Sequence, residues 1–178
     1  GTLANSFGAN TNVITIGDTS GAANATLSGG FVGTFANPIA VASGNTGVAT
    51  ITDSAASIFS GAVTLNSHDL NLSPAASALT LSGGVTGTGN LTLNSTGAGV
   101  ITLSTASVNN TGTITNSGIT ATNVISAAVG ANVTGITENS ASSALTVSGA
   151  VTTTGSKTLT NSNTALLTVS GGVTGAGN

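Results

Sequence analysis

Serine recurs six times in succession on one 22-residue step, at Ser60, Ser82, Ser104, Ser126, Ser148 and Ser170. The neighbouring columns keep the same step with different residue types, so the period does not rest on serine alone. Immediately before each serine stand Phe59, Leu81, Leu103, Ile125, Val147 and Val169, all large and apolar. Two places earlier come Ser57, Leu79, Ile101, Asn123, Leu145 and Leu167, and three places after the serine come Val63, Val85, Ser107, Val129, Val151 and Val173. A further column reads Leu70, Thr92, Ile114, Ile136 and Thr158, with Leu93 and Leu159 one step on. Equivalent residues at a fixed long step are what a stack of coils requires, because each coil packs on its equivalent below.

Within one period the pattern alternates apolar and polar, as in "ALTLS", "NLTLN" and "VITLS", the two-residue period of a strand with one buried face. Gly, Asn and Ser gather between these short runs, where tight or left-handed corners are needed. Three strands of about four or five residues with their corners fill one period, which predicts an all-β, three-sided parallel β-solenoid. An antiparallel sandwich also shows short alternating strands, but it does not require identical columns at a fixed step. Dividing the 178 residues by this period gives about eight coils, a rod of roughly 38 Å at one parallel strand spacing per coil.

The step is less regular towards the N-terminus. "ATLSGGFVG" at 25–33 matches the repeated phrase, but its Ser28 stands out of step with Ser60, too far upstream for one period and too near for two. An insertion of about ten residues in a single solenoid segment covering 1–178, with an irregular coil or enlarged loop near 28–47, accounts for the slip. Val41 and Val48 still fall in apolar columns on the 22-residue step. The chain breaks off inside the repeated phrase, "GGVTGAGN", and both ends of such a stack leave strand edges open. The expectation is a fragment of a longer repeat protein, in end-to-end contact with further coils, domains or like subunits.

Composition narrows the function. The chain has one Lys, no Arg, one His, four acids and no Cys, Met, Trp or Tyr. Nothing here neutralises a phosphate backbone or an anionic bilayer, so no nucleic-acid partner is expected. Ser, Thr, Asn and Gly interrupt every apolar run, so no transmembrane helix is expected in this chain. The aliphatic content that lifts mean hydropathy to +0.43 also argues against disorder.

Few residues are left for chemistry. His68 beside Asp69, with Ser67 adjacent, is the one pairing of imidazole and carboxylate, yet neighbouring strand residues point to opposite faces and would not form a relay. A polar corner is the expectation there. Asp18 and Asp53 read as solvated turns; no aspartate recurs coil after coil as a solenoid calcium site would need. Lys157 and Glu138, separated by a little less than one period, could approach across coils. No catalytic, metal or cofactor-binding residues are assigned and no enzyme activity is expected. Threonine ladders of the ice-matching kind are discounted because "TIT" at 50–52, "TIT" at 113–115 and "TTT" at 152–154 do not share a column on the 22-residue step. Asn-x-Ser/Thr sequences begin at Asn24, Asn71, Asn90, Asn94, Asn109 and Asn132, with asparagine also a candidate for corner ladders. The four Phe, at 7, 31, 35 and 59, read as core or cap residues.

"LTLSGGVTGTGNLTLNSTGAG" at 79–99 resembles the autotransporter-associated β-strand repeat of bacterial outer-membrane autotransporter passengers and related giant surface adhesins. The likeness lies in the aliphatic-Thr-aliphatic strand, the Ser-Gly-Gly corner and the "GTGNLTLNSTGAG" that follows; it is weaker at 145–156 and returns at 167–178. It implies a right-handed β-helix, exported to the extracellular face of a bacterial cell. It further implies a rod, stalk or filament role with possible adhesion to a host or cell-surface ligand such as a glycan. The family carries no catalytic residues in these repeats, and no translocator barrel accompanies them here.

Overall fold

The computed structural model describes residues 7–175. Each turn of the chain lays one strand on each of three parallel sheets, here called faces A, B and C, and then returns to the first. Face A is built from β1 (Ile14–Ile16), β4 (Ile39–Val41), β7 (Val63–Asn66) and β10 (Val85–Thr88), continues through single-residue bridges at Val108 and Val129, and ends with β17 (Val151–Thr152) and β20 (Val173–Thr174). Face B holds β2 (Ala25–Gly29), β5 (Ala49–Asp53), β8 (Leu70–Leu72), β11 (Leu91–Leu93), β13 (Gly112–Asn116), β15 (Val133–Glu138) and β18 (Thr158–Asn161). Face C holds β3 (Gly33–Phe35), β6 (Ser57–Phe59), β9 (Leu79–Leu81), β12 (Ile101–Leu103), β14 (Asn123–Ile125), β16 (Leu145–Val147) and β19 (Leu167–Val169). The described residues thus make about seven turns, with faces B and C seven strands deep; from first to last rung they span roughly 34 Å. This is the all-β parallel solenoid that the repeat predicts.

Face C carries the period. Phe59, Leu81, Leu103, Ile125, Val147 and Val169 pair in register from one turn to the next, each a full period after the last. All but the last are buried, and Leu79, Leu81, Ile101, Leu103 and Ile125 are at most 1% exposed. Full burial of such side chains, each worth about 1.5–3 kcal/mol, is the main force holding coil on coil. At the first turns the interior is aromatic: Phe35 stacks on Phe59 at 4.9 Å, and Phe31 meets Phe35 edge-on at 4.7 Å.

Each serine of the period begins a corner and extends the ladder. Ser82 N–H donates to the Phe59 carbonyl at 2.9 Å, and Ser104, Ser126, Ser148 and Ser170 repeat the bond at 2.8–2.9 Å. After Ser82 there is no room for a side chain: a Cβ at Gly83 would lie 2.1 Å from the Gly61 carbonyl oxygen one coil below, whereas Thr105 and Ala127 hold the equivalent places after Ser104 and Ser126. Gly84 then turns with φ +81°, a left-handed conformation that glycine adopts without penalty.

Several apolar columns shift from the places given by a uniform step. Ser28 lies in β2 and pairs with Thr52 on face B, so its mismatch with Ser60 compares two different faces. Same-face partners in these first turns, Leu27 with Ile51 and Phe35 with Phe59, lie two positions further apart along the chain than the period. Val63 pairs with Ile39, while Val41 pairs with Leu65, and Val48 points outward. Val108 takes the place given to Ser107. On face B the inward residues are Leu91 and Leu159, which leaves Thr92 and Thr158 on the outside register. Each shift of one residue reverses the side chain's face.

Candidate functional site

The corner between faces A and B at the third turn holds the one imidazole. Ser67 has φ +59°, a bend that breaks strand alternation just before His68. His68 Nδ1 lies 2.8 Å from the Asp69 carbonyl oxygen, which can only accept, so Nδ1 is the donor. The Asp69 carboxylate faces away to the next coil, where Oδ1 accepts from Asn90 N–H at 2.7 Å and Oδ2 from Asn90 Nδ2 at 3.1 Å. His68 and Asp69 therefore serve a corner and do not form a relay. They border an open groove of about 600 Å³, floored by Asn71, Thr92 and Asn94 and walled by residues from Asn45 to Val48. Amides and hydroxyls line it together with Val48, Ala49 and Leu70, and no Phe, Tyr or Trp ring offers a platform for a sugar.

The remaining ionisable groups are dispersed. Asp18 caps its own turn, accepting from Thr19 N–H at 2.6 Å. Asp53 is not a solvated turn: it closes β5 at 5% exposure, and neither carboxylate oxygen has a hydrogen-bond partner. Burial pushes its carboxyl above the ordinary carboxylate range, an effect the nearby Ser57 amide offsets in part; that amide donates to the Ala78 carbonyl at 3.1 Å. Lys157 and Glu138 do not meet. Lys157 Nζ donates to the Gly130 carbonyl at 3.0 Å and to that of Val133, and burial lowers the ammonium pKa. Among the described residues no three His, Cys, Asp or Glu side chains gather as a metal site would need.

Glu138 instead ends β15 in a polar interior that sequence reasoning missed. Face B packs Leu72 and Leu93 inward, but the next partners in that register are Asn116, Glu138 and Asn161. Asn116 and Glu138 are fully buried. Asn116 Nδ2 donates to Glu138 Oε2 at 2.7 Å and to the Ser143 carbonyl at 2.5 Å, while Asn116 Oδ1 accepts from Asn123 Nδ2 at 2.8 Å. Glu138 Oε1 accepts from Ser140 N–H at 2.7 Å, and Asn123 Oδ1 from Ile101 N–H at 2.8 Å. Such a network tolerates burial because its members are satisfied; it braces the B–C corner and exposes no reactive atom. The only advance signal was Asn123 interrupting an apolar column.

Asparagine works similarly elsewhere, as brackets between coils. Asn24 Oδ1 accepts from Val48 N–H at 2.8 Å, Asn90 Oδ1 from Thr113 N–H at 2.9 Å, and Asn109 Oδ1 from Asn132 N–H at 3.0 Å. Three of the six asparagines that begin Asn-x-Ser/Thr sequences are thus committed to backbone one coil away. Threonine does form columns. On face B, Thr26, Thr50, Thr92, Thr115, Thr137 and Thr160 share one register, broken only by Asn71. Thr50 and Thr115 therefore stand in one line; Thr152 lies on face A. Steps on face B run from one position short of the period to two beyond it, which hides this alignment from a uniform count.

Comparison with known proteins gives no matching family model, no matching curated protein and no matching solved structure.

Proposed function

We propose that the chain is a non-catalytic structural segment of an extracellular bacterial surface rod, stalk or filament, of the autotransporter-passenger or giant-adhesin kind. The observation that carries this reading is the 22-residue register that face C keeps from Phe59 to Val169. Coils that repeat in this way set length and stiffness without placing reactive groups, and each upper rung is a template for another. The last described turn has that character: Leu159, in register with buried Ile136, is 44% exposed, and Val173, in register with buried Val151, is exposed too. Further coils, or the first rung of a like subunit, would cover these edges. The right-handed hand of the coil and any adhesive role towards a host or cell-surface ligand belong to the same proposal.

Electron microscopy of the protein on its source cells, with antibody raised against this chain, tests it. Surface-exposed, rod-shaped labelled projections are expected on intact cells. Labelling that requires permeabilised cells would refute the extracellular assignment.

A further inference from the structure

The B–C corner above β2 gathers oxygens with few protons to share among them. Asp53 is 5% exposed, and neither of its carboxylate oxygens has a hydrogen-bond partner. Gly29 pairs with it from below and has no side chain to offer. Above, in the register that sets Ile51 against Leu72, the matching place falls to Pro74, which has no N–H. The Ser57 amide is given to the Ala78 carbonyl at 3.1 Å.

The neighbouring atoms are acceptors too. Ser57 is fully buried, and its hydroxyl lies 3.1 Å from the Phe31 carbonyl oxygen and 2.9 Å from that of Ala55. One hydroxyl proton serves one of them at a time, and among the described residues no backbone N–H donates to either. Gly29 lets the two side chains share one space: a Cβ there would lie 2.3 Å from Ser57 Oγ and 3.5 Å from Asp53 Cβ. Two carboxylate oxygens, two carbonyls and a hydroxyl thus have one proton between them. The other buried carboxylate on this corner is the contrast, since Glu138 receives Asn116 Nδ2 and Ser140 N–H at 2.7 Å each. No Lys, Arg or His stands in the segments that wall the Asp53 corner, 25–35, 49–60 and 70–81, and Asp53 is their one acid.

We infer that the Asp53 carboxylate, with the Ser57 hydroxyl and the Phe31 and Ala55 carbonyls, binds a monovalent metal cation, sodium or potassium, inside the B–C corner. Oxygens without donors are the ligands a hard cation takes. One carboxylate balances one positive charge, so a monovalent ion leaves the buried site neutral, whereas a divalent ion would leave a net charge in the interior. A buried water would supply protons but no charge, and the carboxylate would stay uncompensated. Bound there, the ion ties β5 to the Phe31 backbone, and so steadies the Phe31 ring edge-on to Phe35 at 4.7 Å.

The test is urea unfolding of the whole chain at neutral pH in mixtures of sodium or potassium chloride with choline chloride at one ionic strength, followed by far-UV circular dichroism. Wild type should have a higher midpoint with sodium or potassium than with choline alone, and the gain should follow a binding curve. At ten times the dissociation constant it amounts to about 0.5–1 M urea. Asp53→Asn, which removes the charge and keeps the shape, should give one midpoint in all three salts. Ser57→Ala, which removes one ligand and keeps the carboxylate, should need more of the metal ion for the same gain, and it carries the test should Asp53→Asn not fold. Equal wild-type midpoints in all three salts would overturn the inference, as would a gain that survives in Asp53→Asn. A gain given by calcium chloride but by neither sodium nor potassium would overturn the monovalent assignment.

Discussion

Replacing Gly83 by alanine places a methyl where the coil below already has a backbone. The new Cβ would sit 2.1 Å from the Gly61 carbonyl oxygen and 2.3 Å from its carbon. Neither atom is a flexible side-chain end, so the two coils must part by about 1 Å, a fifth of the spacing that the ladder imposes. The Ser82 N–H bond to the Phe59 carbonyl, 2.9 Å long and next to the clash, stretches first. Overpacking of this kind costs about 1–3 kcal/mol, and a weakened ladder bond adds roughly 0.5–1.5 kcal/mol, so Gly83→Ala should destabilise by about 2–4 kcal/mol. Two other glycines calibrate the result. Gly172 has open space but φ +80°, so Gly172→Ala should cost about 1–2 kcal/mol from left-handed strain alone. Gly30 has open space and no left-handed φ, so Gly30→Ala should be neutral or stabilise by up to about 1 kcal/mol. Urea unfolding followed by far-UV circular dichroism measures all three, the chain having no Trp or Tyr to report by fluorescence. Equal effects at Gly83 and Gly30 would refute the close approach of coils at this corner.

Leu103→Ala, at 1% exposure between Leu81 and Ile125, should lose about 3–5 kcal/mol because the fixed coil spacing prevents collapse of the cavity; Val169→Ala on the last described turn should lose less than about 1.5 kcal/mol. Both are read from urea midpoints. Glu138→Ala strands the Asn116 amide and Ser140 N–H, with an expected loss of about 2–4 kcal/mol, while Glu138→Gln, which keeps an acceptor, should lose less; hydrogen exchange at Ser140 and Asn116 locates the effect. Asp53 has a folded pKa raised above its ordinary 3.8, so between those values the folded state holds more protons than the unfolded one, and stability falls as pH rises through that window. Asp53→Asn should remove this slope and raise stability at neutral pH, measured as urea midpoints at acidic and neutral pH.

The solenoid was legible because face C keeps an even step where its serines and aliphatics recur. Leu81 and Leu103 could be placed inside from sequence alone, since a column that must stack on itself admits little variation. The first turns were not legible in the same way. Turns there run two positions longer than the period, and a phrase such as "ATLSGG" occurs on face B as well as on face C, so similarity of wording did not identify the face. Face B hid its threonine column for a related reason: small length changes at corners leave spatial register intact while disturbing the count along the chain. The Asn116–Glu138–Asn123 network was least legible. Polar residues in apolar columns look like exceptions until their partners, drawn from different strands, are seen together. The open groove by His68 shows the converse, a sequence pairing whose two side chains turn to different partners.

The central claim is that rungs on face C advance by one strand spacing with every repeat of the serine column. Cysteine replaces an outward serine at Ser60 together with Ser148, and at Ser60 together with Ser170, each pair carries spin labels, and electron double resonance measures the separations. The chain has no native cysteine to interfere. Four and five rungs predict backbone separations of about 19 and 24 Å along the axis, the longer pair exceeding the shorter by one rung. A shorter distance for the Ser60–Ser170 pair than for Ser60–Ser148, as antiparallel return of the chain would give, would contradict the fold and the functional reading built on it.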